Sequence, residues 1–302
     1  GALTLRPELA RRALEGVGRP LSMTALEVAS GAARIVDAQM GDLLRQTTLG
    51  QGLDPRDFVL YAYGGAGPVH AAAYAGELGI KEVVVPMGDL GSLWSAFGVA
   101  SSDLIRIHEQ SRVFVAPFAA NEVGQELAKL EQRARAGLEA KGVSEDNIEL
   151  RRFADMRFRA QMHVVDVPLP SGDLSEDFWA GLPTEFERHY EALYGSGSAY
   201  PAAGTELITL RVEARGVVPK PPIAAAPLGS ERPSEAAEGS PRDVFWYEVG
   251  RALSTRVLRG PFLIPGNRFE GPAVVEFPDT TVVVQPGQQG YVDEYGNIII
   301  GL

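Results

Sequence analysis

Between residues 22 and 48 apolar side chains return at helical spacing, through Leu26, Ala29, Ala33, Val36, Met40, Leu43 and Leu44. The period predicts a long amphipathic helix with Ser22 as its N-cap, preceded by a shorter helix over 7–15. After a Gly-Leu-Asp-Pro turn, the apolar and aromatic run 58–63 suits a buried strand. A Gly-Gly-Ala-Gly-Pro break follows at 64–68, and helical spacing resumes over 69–78. A second strand over 82–86, a Gly-rich turn and a helix around 92–100 come next. Helix, strand, glycine turn, helix, strand and helix in that order predict an α/β layer over residues 1–103.

The texture changes near Asp103. A β-like segment at 112–115, a charged helix over 121–141 and strands at 150–158 and 162–168 predict an α+β module over 104–222, completed by a helix over 178–194 and an alternating strand over 207–218. Residues 219–239 are rich in Pro, Ala, Ser and Glu with little to bury, so 223–242 is expected to be a linker or mobile loop. Short runs at 244–249, 273–277, 281–284 and 297–300, separated by turn residues, predict a small β-rich module over 243–302. No internal repeat is evident.

Composition narrows the possibilities. The 302 residues are 45% hydrophobic, enough core for about two or three domains, and 34 Gly with 21 Pro favour many turns over a helical bundle. A net charge of −11 argues against nucleic-acid binding, which needs basic surface to displace counterions. The absence of cysteine excludes disulfides, thiolate metal sites and a Cys nucleophile, and fits a reducing, cytoplasmic setting. No apolar run approaches the roughly 20 residues of a membrane helix, and no signal peptide is recognisable. The start at Gly1-Ala2-Leu3, without Met, reads as a break inside a larger polypeptide or a processed end. His108 and His189 stand alone and no His-x-x-x-His spacing occurs, so no metal site is expected; no Gly-x-Ser-x-Gly elbow marks a serine hydrolase.

Two places carry candidate chemistry. Gly64, Gly65, Ala66 and Gly67 sit where a strand is predicted to end and a helix to begin. Glycine there admits positive φ and lets a ligand lie against the backbone beside free helix N–H groups, although such turns also serve tight packing alone. The loop lacks the Gly-Lys-Ser/Thr ending of a Walker A motif and the spacing of a dinucleotide fingerprint. His70, one turn into that helix, is either a participant near the loop or a packed core histidine. Further on, strict alternation would put Asp155, Arg157, Arg159, Gln161 and His163 on one strand face, to converge on a ligand or subunit interface, or to form a solvated face of cross-strand ion pairs.

The run Phe-Val-Leu-Tyr-Ala-Tyr-Gly-Gly-Ala-Gly-Pro-Val-His-Ala at 58–71, continued through Glu-Leu-Gly-Ile-Lys-Glu-Val-Val-Val-Pro at 77–86 and Ser-Ala-Phe-Gly at 95–98, resembles the large subunit of the hydantoinase/oxoprolinase family. The resemblance extends through Ala-Asp-Met-Arg-Phe-Arg-Ala-Gln at 154–161, Glu-Leu-Ile-Thr-Leu-Arg-Val at 206–212 and Gly-Pro-Ala-Val-Val-Glu at 271–276 to residues 287–300. It implies that residues 1–103 are the C-terminal part of an actin-like ATPase lobe, of the sugar-kinase and Hsp70 kind, and that Gly64, Gly65, Ala66 and Gly67 approach the adenosine, with His70 beside them. The family's phosphate-binding Gly-Gly-Thr loops are absent. The resemblance therefore implies ATP with Mg²⁺ held jointly with an N-terminal half or a separate chain, alongside a small-subunit-type partner. The implied activity is phosphorylation of a cyclic-amide carbonyl for hydrolysis. Ketone carboxylation, as in the acetone and acetophenone carboxylases, is the alternative, and a non-catalytic assembly subunit a third possibility. Where many family members have Gly before the Gln of the second motif, this chain has Ala160.

Overall fold

A computed structural model of the chain describes residues 5–86 and 88–302, so the Gly1-Ala2-Leu3 start lies outside the described residues. The described residues form two compact units, one from residues 5–99 and 222–302, the other from 100–221.

The first unit begins with α1 (Pro7–Gly18), which packs on α2 (Ala25–Leu49). The cap of α2 is Thr24, not Ser22: the Thr24 hydroxyl accepts from the Glu27 N–H while the Glu27 carboxylate accepts from the Thr24 N–H. That Thr-x-x-Glu box satisfies two orphan donors, whereas Ser22 closes the preceding tight turn at φ 55. Next come β1 (Leu60–Tyr61), α3 (Gly67–Glu77), β2 (Glu82–Val85) and α4 (Trp94–Ser101). The expected buried strand over 58–63 is thus a two-residue strand, and Tyr61 remains 49% exposed. Among the described residues β1 pairs with β2 alone, in parallel, and lies at the edge of its sheet.

The second unit runs through β3 (Leu104–Val115), α5 (Ala120–Glu139), β4 (Ile148–Phe158), β5 (Val165–Leu169), α6 (Glu176–Tyr194) and β6 (Thr205–Gly216). Its antiparallel sheet has the order β3-β6-β4-β5. Period-2 alternation puts Ala154, Met156 and Phe158 of β4 with Leu210, Val212 and Ala214 of β6 on the face covered by both helices, which bury Leu127, Leu130, Trp179 and Phe186 there.

Asp103 ties the ends of this unit together: its carboxylate accepts from the Lys220 ammonium, the Val218 N–H and the Arg215 guanidinium. The Lys220 bond first, then the other two, hold its carboxyl well below the usual carboxylate range. A group depressed in the folded state stabilises above its unfolded pKa of about 4, and that contribution disappears as pH falls through the lower folded value. Urea midpoints of Asp103→Asn and the parent should therefore differ by a constant amount from neutral pH down to about pH 4 and converge on further acidification. A gap that widens in acid would contradict this.

The chain then returns to the first unit as β7 (Arg242–Trp246), β8 (Arg251–Arg259), β9 (Arg268–Glu270), β10 (Ala273–Glu276), β11 (Thr281–Val284), β12 (Gln289–Val292) and β13 (Ile298–Gly301). Residues 243–302 do not stand apart as the separate module expected. β13 lies antiparallel to β2, with Ile299 opposite Val84, in a sheet of order β1-β2-β13-β12-β9, and a second sheet has the order β11-β10-β8-β7. The physical reason is β2 itself: Val83, Val84 and Val85 are all buried, which requires cover on both faces and both edges. Val83, Val85, Ile298 and Ile300 share one core with Ala71 and Ala75 of α3, Leu78 just beyond it, and Val275 and Val284 of the second sheet.

The expected linker over 223–242 is laid against this unit rather than free. The Ala226 N–H donates to the Glu294 carbonyl at 2.7 Å, Gly229 to Pro265 and Gly239 to Val257 at 2.8 Å, and Ala237 is fully buried. A segment poor in large side chains can still be fixed through its backbone donors. Among the described residues no helix is long and apolar enough to cross a membrane.

Candidate functional site

The glycine segment is the expected strand-to-helix turn. Gly64 has φ +85, a conformation that costs an L-residue with a Cβ roughly 1–2 kcal/mol. Its N–H donates to the Gly91 carbonyl at 2.8 Å, and its own carbonyl accepts from the Thr280 hydroxyl at 2.9 Å. Thr280 is buried between β10 and β11, and the neighbouring Asp279 carboxylate accepts from the Ser92 hydroxyl at 2.6 Å. Two segments distant in sequence therefore clasp the turn, neither of them indicated by the sequence. Gly65 and Ala66 remain exposed. A Cβ on Gly65 would lie 3.4 Å from the Asp279 carbonyl oxygen, whereas one on Gly67 would meet nothing within 4 Å. The backbone thus offers an open surface with no side chain larger than the Ala66 methyl, leading into the first turn of α3, a form suited to a ligand approaching closely. A cavity of about 500 Å³ elsewhere in the unit, lined by Arg256, Arg268, Phe269, Gln289 and Tyr291, does not include the turn.

His70 projects from α3 to a buried carboxylate. Its Nδ1 lies 2.8 Å from Oδ1 of Asp37 on α2, and the Tyr247 hydroxyl donates to Oδ2 of the same carboxylate. Asp37 is 4% exposed. Burial first, then donation to Asp37, pushes the Tyr247 phenol far above its ordinary value, so it stays protonated and donating. Burial and the same carboxylate also raise Tyr74. The sequence did hold a trace of Asp37: it falls four residues after Ala33 and three before Met40, a charge inside the apolar stripe of α2. Tyr247, 210 residues further on, left none.

The second cluster divides. Asp155 and Arg157 do share the face of β4 opposite the helices, but β4 ends at Phe158 and the chain turns, with the Gln161 N–H donating to the Phe158 carbonyl at 3.1 Å. Gln161 and His163 therefore leave the strand face on which alternation placed them. Gln161 donates to the Tyr190 hydroxyl at 3.0 Å, and His163 is exposed. On the face itself, Arg157 donates to Glu206 at 3.0 Å, while Arg211 lies 2.7 Å from Asp166, 3.7 Å from Asp155 and over the Phe153 ring. Burial raises the Asp155 carboxyl against the opposing pull of Arg211. These cross-strand ion pairs are half-buried and engage Asp155 and Arg157 of the strand. Among the described residues no three His, Asp or Glu side chains gather as a metal site.

The turn after β4 places Ala160 at φ +65. Ala160→Gly should relieve left-handed strain of about 1 kcal/mol, partly offset by the greater freedom of glycine in the unfolded chain. The urea midpoint should rise slightly, and a fall would contradict the strain.

The fold and the glycine turn place the chain in the hydantoinase/oxoprolinase family, to which it belongs: the family descriptions "Hydantoinase/oxoprolinase" and "Hydantoinase/oxoprolinase C-terminal domain" match residues 1–108 and 115–299. It is 29% identical to the acetone carboxylase beta subunit of Xanthobacter autotrophicus over 92% of this chain and 40% of that one, and 31% identical to the acetophenone carboxylase gamma subunit of Aromatoleum aromaticum over 99% and 42%. It is 26% identical to caprolactamase subunit alpha of Pseudomonas jessenii over 97% and 42%. A nucleotide-free acetone carboxylase structure, from work on ATP-dependent acetone carboxylation, superposes with a TM-score of 0.86 at 27% identity over 99% of this chain and 43% of that one. The ATP-dependent caprolactamase from Pseudomonas jessenii shares the fold at a TM-score of 0.74 and 24% identity, over 100% of this chain and 44% of that one. The chain thus spans about two-fifths of the length of these relatives.

Proposed function

We propose that this chain is the C-terminal portion of an ATP-dependent enzyme that activates a carbonyl oxygen by phosphorylation, and that Gly64, Gly65, Ala66 and Gly67 pass against the nucleotide. The observation that carries the reading is the turn: a clasped backbone, exposed at Gly65 and Ala66 with no side chain larger than a methyl group, running into a helix N-terminus. The first unit would then be part of an actin-like lobe. The phosphate loops and Mg²⁺ ligands come from another polypeptide segment. When bound, ATP makes an unreactive carbonyl reactive by phosphorylating its oxygen. This chain's part is to hold one side of the nucleotide and position groups around it.

A cyclic amide is the substrate class carried forward from the family as a whole. Ketone carboxylation is the second reading, favoured by the closer superposition on acetone carboxylase, at a TM-score of 0.86 against 0.74 for the caprolactamase. Exposed apolar side chains of the first unit support a partner: Ile35, Leu43 and Leu49 of α2 are 56–64% exposed, and Phe58, Val59 and Tyr61, in and just before β1, are 46–49% exposed. Exposed apolar side chains in such number are suited to a lasting contact.

The test pairs this chain with a chain supplying the remaining length of its relatives and follows phosphate release with ATP and caprolactam, acetone or acetophenone. Turnover is expected only from the pair. Gly65→Val should weaken ATP binding by about tenfold or more, the equivalent of about 1.4 kcal/mol, without lowering the thermal midpoint. Hydrolysis by this chain alone, or unchanged ATP affinity in Gly65→Val, would overturn the proposal.

A further inference from the structure

The second unit has a cavity of about 380 Å³ between α5, β4 and α6 with the segment that precedes it. Leu127, Leu174 and the ring of Trp179 give it an apolar floor, while Asn121, Gln125 and Asp173 stand exposed at its mouth. Its size falls at the lower end of the range for small-molecule pockets.

Two polar groups that line it are left unmet. Trp179 is 1% exposed, and its indole N–H makes no hydrogen bond among the described residues. Nε1 is not among the occluded polar atoms, so the N–H opens into the cavity that the ring lines. A buried indole ordinarily finds an acceptor, as Trp246 does in the Thr255 hydroxyl at 2.9 Å. Glu131, one turn beyond Leu127 on α5, holds the second group. Its Oε1 is packed against Nε of Arg152, whereas Oε2 accepts no hydrogen bond among the described residues and is likewise not occluded. Arg152 is already engaged, by Glu131 and by the carbonyls of Pro170 and Gly172, to which its Nη1 donates.

One free donor beside one free acceptor selects the ligand. An anion would face the carboxylates of Glu131 and Asp173 with the arginine already taken, and a cation would leave the Trp179 N–H without an acceptor. A neutral amide supplies both, a carbonyl oxygen to accept and an N–H to donate. In a lactam the two point to the same side of an apolar ring. We propose that this cavity binds a small neutral amide, with its carbonyl oxygen on the Trp179 N–H, its own N–H on Glu131 Oε2 and its hydrocarbon part against Leu127 and Leu174. The site lies wholly in the second unit and is independent of the nucleotide reading of the glycine turn.

The test follows the three indole N–H resonances of the ¹⁵N-labelled chain, without nucleotide, as caprolactam is added. The Trp179 resonance, identified by its loss in Trp179→Phe, should move saturably with a Kd on the order of 1 mM, as suits a ligand of about eight non-hydrogen atoms. The Trp246 resonance should stay in place. N-methylcaprolactam, which keeps the carbonyl but has no N–H, should bind about tenfold more weakly or worse, and hexanoate should leave Trp179 unmoved. Gly124 lines the same cavity from within α5, where an added Cβ would meet nothing within 4 Å. Gly124→Leu should therefore fill the cavity and abolish the shift, with a thermal midpoint equal to the parent's or higher because a helical glycine is replaced. No saturable Trp179 shift at about 20 mM caprolactam would mean that water alone satisfies the indole, and overturns the proposal. A shift that persists in Gly124→Leu overturns it too, as does equal binding of caprolactam and either N-methylcaprolactam or hexanoate.

Discussion

Phe158→Ala should destabilise the protein by about 3–5 kcal/mol, the usual range for truncating a buried aromatic ring. Phe158 is 1% exposed and ends β4. Its ring meets Phe186 edge-on at 4.8 Å and Tyr190 at 5.1 Å, joining the sheet of the second unit to α6. Truncation removes the apolar burial and both ring contacts, and leaves a cavity between sheet and helix that two rigid rings fill poorly. Tyr190 also accepts from Gln161, so the turn after β4 should loosen with it. Urea denaturation measures the loss, and a shift below about 1 kcal/mol would show that the ring is not the joint inferred here.

Gly271→Ala should cost about 3 kcal/mol, the upper end of the usual penalty for overpacking. A Cβ at this position would fall 1.9 Å from the Gln285 carbonyl oxygen and 2.7 Å from that of Val284. Neither acceptor is the end of a flexible side chain. Accommodation would have to come from the pairing of β10 with β11, where Ala273 faces Val284, or from the Gly271 N–H bond to the Gln288 carbonyl at 2.9 Å. The same hairpin carries Thr280, which donates to Gly64. On the proposed function, Gly271→Ala should therefore weaken ATP binding in protein that remains folded, while a conservative change on the far edge, such as Val244→Ile in β7, should not. Equal stability of Gly271→Ala and the parent in urea would contradict the close packing.

Legibility followed the strength of the local pattern. α5, α6, β4 and β6 were visible because each lines one face of a layered core, so apolar residues recur with the period of the backbone. β8 was not visible. It runs Arg-Ala-Leu-Ser-Thr-Arg-Val-Leu-Arg, polar at most positions, yet lies between β10 and β7 in its sheet. Its place comes from neighbours that cover it, not from a pattern of its own. Alternation also misled where the backbone stopped being extended: it carried the face of β4 through Gln161 and His163, across a turn whose only marker is Ala160 in a left-handed conformation.

By itself the sequence determined the family, through the run at 58–71, and the strand-to-helix turn at Gly64–Gly67, because a glycine turn between two periodic segments is a local property. It determined the helices of the second unit for the same reason. Only the tertiary structure decided that residues 222–302 return to complete the sheet begun by β1 and β2, that Thr280 clasps Gly64, and that Asp37 and Tyr247 meet at His70. Strand partners and a buried carboxylate's donors are selected by which surfaces must leave water together, and segments more than 200 residues apart carry no local trace of that choice.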